Sequence, residues 1–366
     1  MAPWVPRSDV SAGMPAKPAG RGRRLRGQTR HRGLAASAVP ALALLLAGCG
    51  GNHSSIAPKS HQARDITSLW WWMLGGACIG FTVVAGLLVL AWLRRIHRGA
   101  GADTEGMHPG ERFSTRVVIG LGVGLPIVVL VALFVISDVF VIRTTQAPAA
   151  ARTALTVQVV GHQWFWEVRY PGTKAITANE IHIPLRTPVL VQATTADVIH
   201  SFWVPELNRK IDMIPGHVNT IELEADEPGR YRGQCAEFCG LQHAHMALEV
   251  VAEPAPAFRT WLAREVMPAR APSSDLERTG QRAFLDGACS SCHTIRGTSA
   301  AADVGPDLTH LASRATIAAL TLPNTAQALA TWITDGQHVK PGNQMPDVQI
   351  APAQLRALVD YLESLR

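Results

Sequence analysis

Apolar positions are spread unevenly along this chain, and the spacing between them changes three times. Residues 69–93 and 117–137 contain no charged side chain. At ~1.5 Å rise per residue, either run is long enough as a helix to cross ~30 Å of hydrocarbon, so the pattern predicts a hairpin of two transmembrane helices over 69–142. From residue 152 the period shortens to two. Apolar positions alternate over 155–160, 176–183, 189–193 and 220–223, with Pro and Gly between the runs, and this predicts an antiparallel β-sandwich over 152–252. Residues 253–275 are rich in Pro and Ala and predict a linker with one short helix between two flexible pieces. Beyond 276 the period is helical. Leu355, Leu358, Val359, Leu362 and Leu365 share one face behind Pro352, which predicts a small all-α domain over 276–366. With 366 residues, a multidomain chain is expected on length alone.

The N-terminal end reads as an address rather than a fold. A basic run at 21–32 precedes an apolar stretch at 34–47 that is too short to span a bilayer, which makes residues 1–48 a signal peptide, with Met14 as a second possible start. The stretch closes with Leu46-Ala47-Gly48-Cys49, which resembles a bacterial lipobox and makes Cys49 a candidate for lipidation. Residues 49–68 are then an exported N-terminal segment. This leader also changes the meaning of the charge. The chain is formally +6, but the leader holds 8 of its 34 Lys and Arg and only 1 of its 28 acids, leaving 26 bases against 27 acids. A balanced remainder removes the electrostatic case for a nucleic-acid partner. Arg94, Arg95, Arg98, Arg112 and Arg116 lie between the two apolar runs. The positive-inside rule therefore puts that connection in the cytoplasm and everything after 142 outside a bacterial cytoplasmic membrane.

Six cysteines are too few for a disulfide scaffold, and two pairs of them sit in spacings that carry chemistry. In Cys289-Ser290-Ser291-Cys292-His293, two thiols can form thioethers with both haem vinyls while the adjacent imidazole reaches the iron. A disulfide, a thioredoxin-like redox pair and half a zinc site are the other readings. No thioredoxin-like βαβ context surrounds this pair, and no second Cys pair follows it. A low-spin carrier wants a sixth ligand, and Met345 is the only methionine after Met267; it lies in Pro341-Gly342-Asn343-Gln344-Met345-Pro346, a poor core position. His310 and His338 are the rivals. This segment resembles class I cytochromes c, in which the proline matching Pro306 orients the proximal histidine through its carbonyl.

The second pair is Cys235-Ala236-Glu237-Phe238-Cys239, followed by His243 and Met246, with His200 upstream. Two thiolates, two imidazoles and a thioether form a soft donor set suited to copper, and a second cysteine on one loop allows two coppers to be bridged. A Cys₂His₂ zinc site and a simple disulfide remain as alternatives.

Taken with the helix hairpin, this pattern resembles subunit II of the haem-copper cytochrome c oxidases as far as about Val251. That resemblance implies a cupredoxin-like sandwich holding a dinuclear CuA centre. By it, Cys235 and Cys239 bridge the coppers, His200 and His243 terminate them, Met246 is a weak ligand and Glu237 gives its backbone carbonyl. The family also turns that glutamate's carboxylate toward a magnesium at the boundary with subunit I. The segment Gly161-His162-Gln163-Trp164-Phe165-Trp166 matches the family's aromatic segment, placing Trp164 at the electron entry. Trp166 reads better as a core residue. Two departures stand out. The glutamate that many members carry early in the second helix has no evident counterpart, since Glu111 lies too far upstream of Pro126, and the haem domain resembles only the subgroup with a cytochrome c fused to subunit II.

The function implied is electron entry to a cytochrome c oxidase. Electrons would pass from haem c to CuA and on to a catalytic haem-copper subunit that reduces oxygen and pumps protons. Partners would be subunit I, other oxidase subunits, the membrane and a cytochrome c or bc1-type donor. The oxygen site belongs to another subunit, because neither apolar run carries histidines. An electron-entry subunit of a CuA nitric oxide reductase is the alternative. A membrane-anchored copper-delivery module is a third reading, one that leaves the haem motif without a purpose.

Overall fold

The computed structural model describes residue 51 and residues 53–98, 111–142 and 154–366. The leader, Cys49 and most of the basic connection lie outside the described residues. Helix α1 (His61–Arg98) contains the first apolar run. A second helical run follows as α2 (Glu111–Ile119), a π turn at Gly120–Gly124, α3 (Leu125–Ile136) and another π turn at Ser137–Ile142. The first π turn sits directly ahead of Pro126. Proline lacks the N–H that an α turn needs, and a widened turn takes up that defect without breaking the helix. Both helices are long and apolar enough to cross a membrane, and the hydrophobic windows are unburied within this chain.

The start of α1 is not a free stalk. Lys59 N–H donates to the Glu206 carbonyl, Gln62 Nε2 donates to Glu222 at 2.7 Å, and Arg64 pairs with Asp226. Gln62 and Ala63 are buried. The helix therefore runs out of the extramembrane body rather than from a loose segment.

Ten strands form two five-stranded sheets. One sheet has the order β3 (Ile176–Ala178), β2 (Phe165–Arg169), β1 (Leu155–His162), β5 (Val189–Thr195), β8 (Asn219–Leu223). The other has β4 (Glu180–Pro184), β10 (Ala247–Glu253), β9 (Gly229–Cys235), β6 (His200–Trp203), β7 (Ile211–Met213). Alternation explains the facing: Val157 and Val159 of β1, and Tyr231, Gly233 and Cys235 of β9, turn inward with polar neighbours between them. The sandwich is as the pattern predicts, with one correction: the pairing is mixed. β1 runs parallel to β5 and β4 runs parallel to β10. Short-range alternation carries no information about which distant strand becomes the neighbour.

The segment after β10 holds one helix, α4 (Ala255–Glu265), as expected. It is packed rather than loose. Phe258 and Trp261 are buried in the sandwich core, and Trp261 stacks on His182 with ring centroids 4.0 Å apart. The C-terminal domain contains α5 (Asp275–Leu285), a two-strand ladder of β11 (Thr316–Ile317) and β12 (Leu322–Pro323), α6 (Ala326–Thr334), α7 (Gly336–Val339) and α8 (Pro352–Ser364). Ser274 caps α5 by accepting from Glu277 N–H, and Thr325 caps α6 by accepting from Ala328 N–H. Helices α5 and α8 pack against each other beside a separate core that includes Phe284, Leu358, Tyr361 and Leu362.

This domain is docked on the sandwich. Arg296 donates to the Lys174 carbonyl at 2.6 Å and to the Glu265 carbonyl at 2.7 Å, and Ala315 N–H donates to Glu180 Oε1 at 2.8 Å. The flexible tether expected from the Pro- and Ala-rich composition is replaced by a built interface.

Candidate functional site

β6 and β9 pair so that Phe202 stands opposite Cys235, which brings the start of β6 to the loop leaving β9. The predicted donors converge there. His200 Nδ1 is 3.8 Å from Cys235 Sγ, the two sulfurs are 3.8 Å apart, and Cys239 Sγ is 3.7 Å from His243 Nδ1 and 3.8 Å from Met246 Sδ. The Glu237 carbonyl lies 3.2 Å from Cys235 Sγ. Sulfurs this far apart are not joined, because a disulfide needs about 2.05 Å. His200, Cys235 and Cys239 form a compact, buried three-donor group. The Glu237 side chain is half-buried beside Phe238, which is exposed.

The surroundings hold this cluster in shape. His200 Nε2 lies 2.8 Å from Asp197, which also accepts the Gln163 backbone N–H, so the imidazole turns Nδ1 to the sulfurs. Burial pulls the His200 pKa down, but the Asp197 and Cys235 interactions outweigh it and leave it raised. The interaction between the two thiols draws Cys235 well down, toward the thiolate, and pushes Cys239 up. Gly161 lies under the His200 ring, where a Cβ would stand 2.8 Å from Cδ2. Gln163 Nε2 and Trp164 Nε1 both donate to the Cys239 carbonyl, at 2.7 and 2.9 Å.

A cavity of about 240 Å³ opens in the C-terminal domain. Cys289, Cys292, His293 and Met345 line it, with Trp164 and Phe165 of the sandwich at its wall. His293 Nδ1 donates to the Pro306 carbonyl at 2.8 Å, which leaves Nε2 as the free ligand atom. Burial lowers the His293 pKa, so the ring is neutral. Gly305 makes room for it, since a Cβ there would lie 2.6 Å from Cε1. His310 lies outside the lining and its Nε2 is engaged with the Met267 carbonyl; His338 is also outside. Trp166 is fully buried against Phe202, which fits the core role expected of it.

Comparison with known proteins agrees with both halves. Residues 173–253 match the family model for the cytochrome c oxidase subunit II periplasmic domain, and residues 278–366 match the cytochrome c model. Cytochrome c oxidase subunit 2 of Alkalihalophilus pseudofirmus is 31% identical over 339 residues, covering 89% of this chain and 95% of that protein. The chain belongs to the cytochrome c oxidase subunit II family. The subunit 2 of Bacillus subtilis is 28% identical, over 88% of this chain and 95% of its own length. Among solved structures, the periplasmic domain of cytochrome oxidase subunit II from Bradyrhizobium japonicum is 31% identical, covers 33% of this chain and 96% of its own, and superposes with a TM-score of 0.31.

Membership in subunit II with a cytochrome c domain implies CuA copper and haem c, and the residues present fit both groups. The first cluster is soft, buried and preassembled. The cavity is largely apolar, and Arg314 Nε and Thr316 Oγ1 on its lining are buried with no partner among the described residues, as groups awaiting a polar edge would be. Three residues at these sites were not singled out from sequence: Asp197, Gln163 and Arg314. Asp197 had a local signal, three residues before His200. Gln163 stands within the matched aromatic segment, but its partner Cys239 is 76 residues away, and Arg314 shows its place only where the haem cavity closes around it.

Proposed function

We propose that this chain is the electron-entry subunit of a terminal cytochrome c oxidase in a bacterial cytoplasmic membrane. Cys289 and Cys292 would hold haem c covalently, and His293 and Met345 would offer their imidazole nitrogen and thioether to its iron. Cys235, Cys239, His200, His243, Met246 and the Glu237 carbonyl hold the dinuclear CuA centre, and the Glu237 carboxylate serves a magnesium at the boundary with the catalytic subunit. Bound, both centres are one-electron carriers, which feed oxygen reduction and proton pumping in that subunit. The residues of this chain fix the spacing, keep water out and set the ligand protonation. His293 and His200 each present one free imidazole nitrogen because the other is engaged by Pro306 or Asp197.

The observation that carries this reading is the position of Trp164. Its indole N–H donates to the Cys239 carbonyl, and the same residue lines the haem cavity, so one residue reaches both sites. A copper-delivery module has no use for that second contact. The test is metal analysis and flash photolysis of the purified complex. One haem c and two coppers per chain are expected, with haem-to-copper electron transfer at a rate independent of protein concentration. A single labile copper without a near-infrared band, or haem oxidation that scales with protein concentration, overturns the proposal.

A further inference from the structure

The docked interface contains a buried lysine that bonds to no carboxylate among the described residues, and burial draws its pKa down to about 7. Lys340 is 2% exposed, and its Nζ donates to the carbonyls of Trp164 at 2.8 Å, His245 at 2.9 Å and Ala318 at 3.3 Å. Two of those acceptors belong to the sandwich and one to the haem domain. An ammonium has three N–H donors, so the three carbonyls match its capacity. The same short segment is latched at a second point, where Gln242 Nε2 donates to the Pro341 carbonyl at 2.7 Å. Gln242 directly precedes His243, and Lys340 begins the loop that ends at Met345.

We infer that Lys340 is a positioning residue that clamps the Met345 loop of the haem domain onto the Trp164 and His243–His245 segments of the copper domain, and so sets the spacing between the two centres. Its Nζ bonds to no side chain of the proposed cofactor ligands, although the residue lines the haem cavity near Met345. A covalent linker only limits how far the domains can part, whereas a buried ammonium shared by carbonyls of both domains fixes one orientation. Removing it takes a donor from the buried Trp164 carbonyl and from the half-buried contact at His245, while the Ala318 carbonyl keeps the Thr321 hydroxyl, and the buried acceptor regains a partner only if the interface opens to water. The functional consequence rests on the relay proposed above; the clamp itself does not.

The experiment is Lys340→Met in the full-length, assembled complex. Amide hydrogen exchange in peptides covering 163–167 and 315–320 is expected to speed up by about tenfold or more, while covalent haem and copper content stay at the parent's level. Electron transfer between the centres is expected to slow and to become viscosity-dependent, because it then waits for the domains to redock. Lys340→Arg, which keeps a buried cation and its donors, is expected to recover most of the protection. If Lys340→Met does not assemble, Lys340→Gln, with two N–H donors, is read in the same way. Unchanged exchange at both segments overturns the clamp, whatever the electron-transfer rate. Faster exchange in the variant, together with no transfer between centres in the parent, supports the clamp and sinks the relay instead.

Discussion

On the proposed reading, the copper cluster and the haem cavity solve the same problem, holding a histidine nitrogen and soft sulfur near a redox metal, by opposite means. The copper donors are already converged, with sulfur and nitrogen spaced at 3.7 to 3.8 Å and locked by Asp197, Gln163 and Trp164. They stand at the edge of a sandwich whose core of Val157, Trp166, Phe202 and Leu248 is complete without metal. The haem domain instead encloses a space of about 240 Å³, lined by its own core residues Phe284, Leu329, Leu358 and Leu362. In one domain the cofactor is added to a finished core, and in the other it is the middle of the core. The contrast extends to histidine support, where each imidazole rests over a glycine, Gly161 in one case and Gly305 in the other, although the surrounding folds share nothing.

The sharpest way to break this contrast is to withhold haem. Cys289→Ala with Cys292→Ala leaves the cavity unfilled, and at ~24 cal/mol per Å³ its 240 Å³ corresponds to about 6 kcal/mol, a figure comparable with the whole stability of a small domain. Hydrogen exchange is expected to show α5 and α8 losing protection while β1 and β9 keep theirs. A haem-free domain that stays as protected as the parent would refute the distinction. The converse experiment acts on the copper side. Asp197→Asn removes the charged acceptor on His200, and copper affinity is expected to fall by roughly 10- to 100-fold with the sandwich still folded. Metal competition and circular dichroism read the two outcomes separately; collapse of the sandwich would show that the copper side depends on its site as the haem side does.

A smaller effect sharpens the view that α4 is part of the sandwich. His182 stacks on Trp261 of that helix and faces Glu180 at 3.6 Å and Glu253 at 3.0 Å. Burial lowers its pKa, but the two carboxylates outweigh that and leave it raised above 6.5. A raised folded-state pKa gives stability that is fully present below 6.5 and is lost as pH rises through the folded value. Unfolding measured from pH 6 upward is expected to show this decline, and His182→Gln is expected to flatten it. An unchanged slope in that variant would place the pH dependence elsewhere.

Much of the molecule could be read from local pattern. The apolar runs announce the helices, alternation announces the sandwich, and Cys289-Ser290-Ser291-Cys292-His293 and Cys235-Ala236-Glu237-Phe238-Cys239 bring their sulfurs into useful spacing within a single turn or loop. These features depend on residues a few positions apart, where chain geometry leaves little choice. The proposal of Met345 also rests on local context, a methionine on a Gly- and Pro-rich loop, and in the structure it lines the haem cavity and packs against that domain's core.

What the tertiary structure alone decided involves partners that are remote in sequence. Composition marked residues 253–275 as loose, yet Phe258 and Trp261 are buried, because a helix is held by the apolar surface offered to it rather than by the proline content around it. The parallel pairing of β1 with β5 and of β4 with β10 depends on how chain segments return across the sandwich. Lys340 carries no sign of its role in its own neighbourhood; the three carbonyls it holds belong to residues 176, 95 and 22 positions away, and only folding brings them within reach of one ammonium.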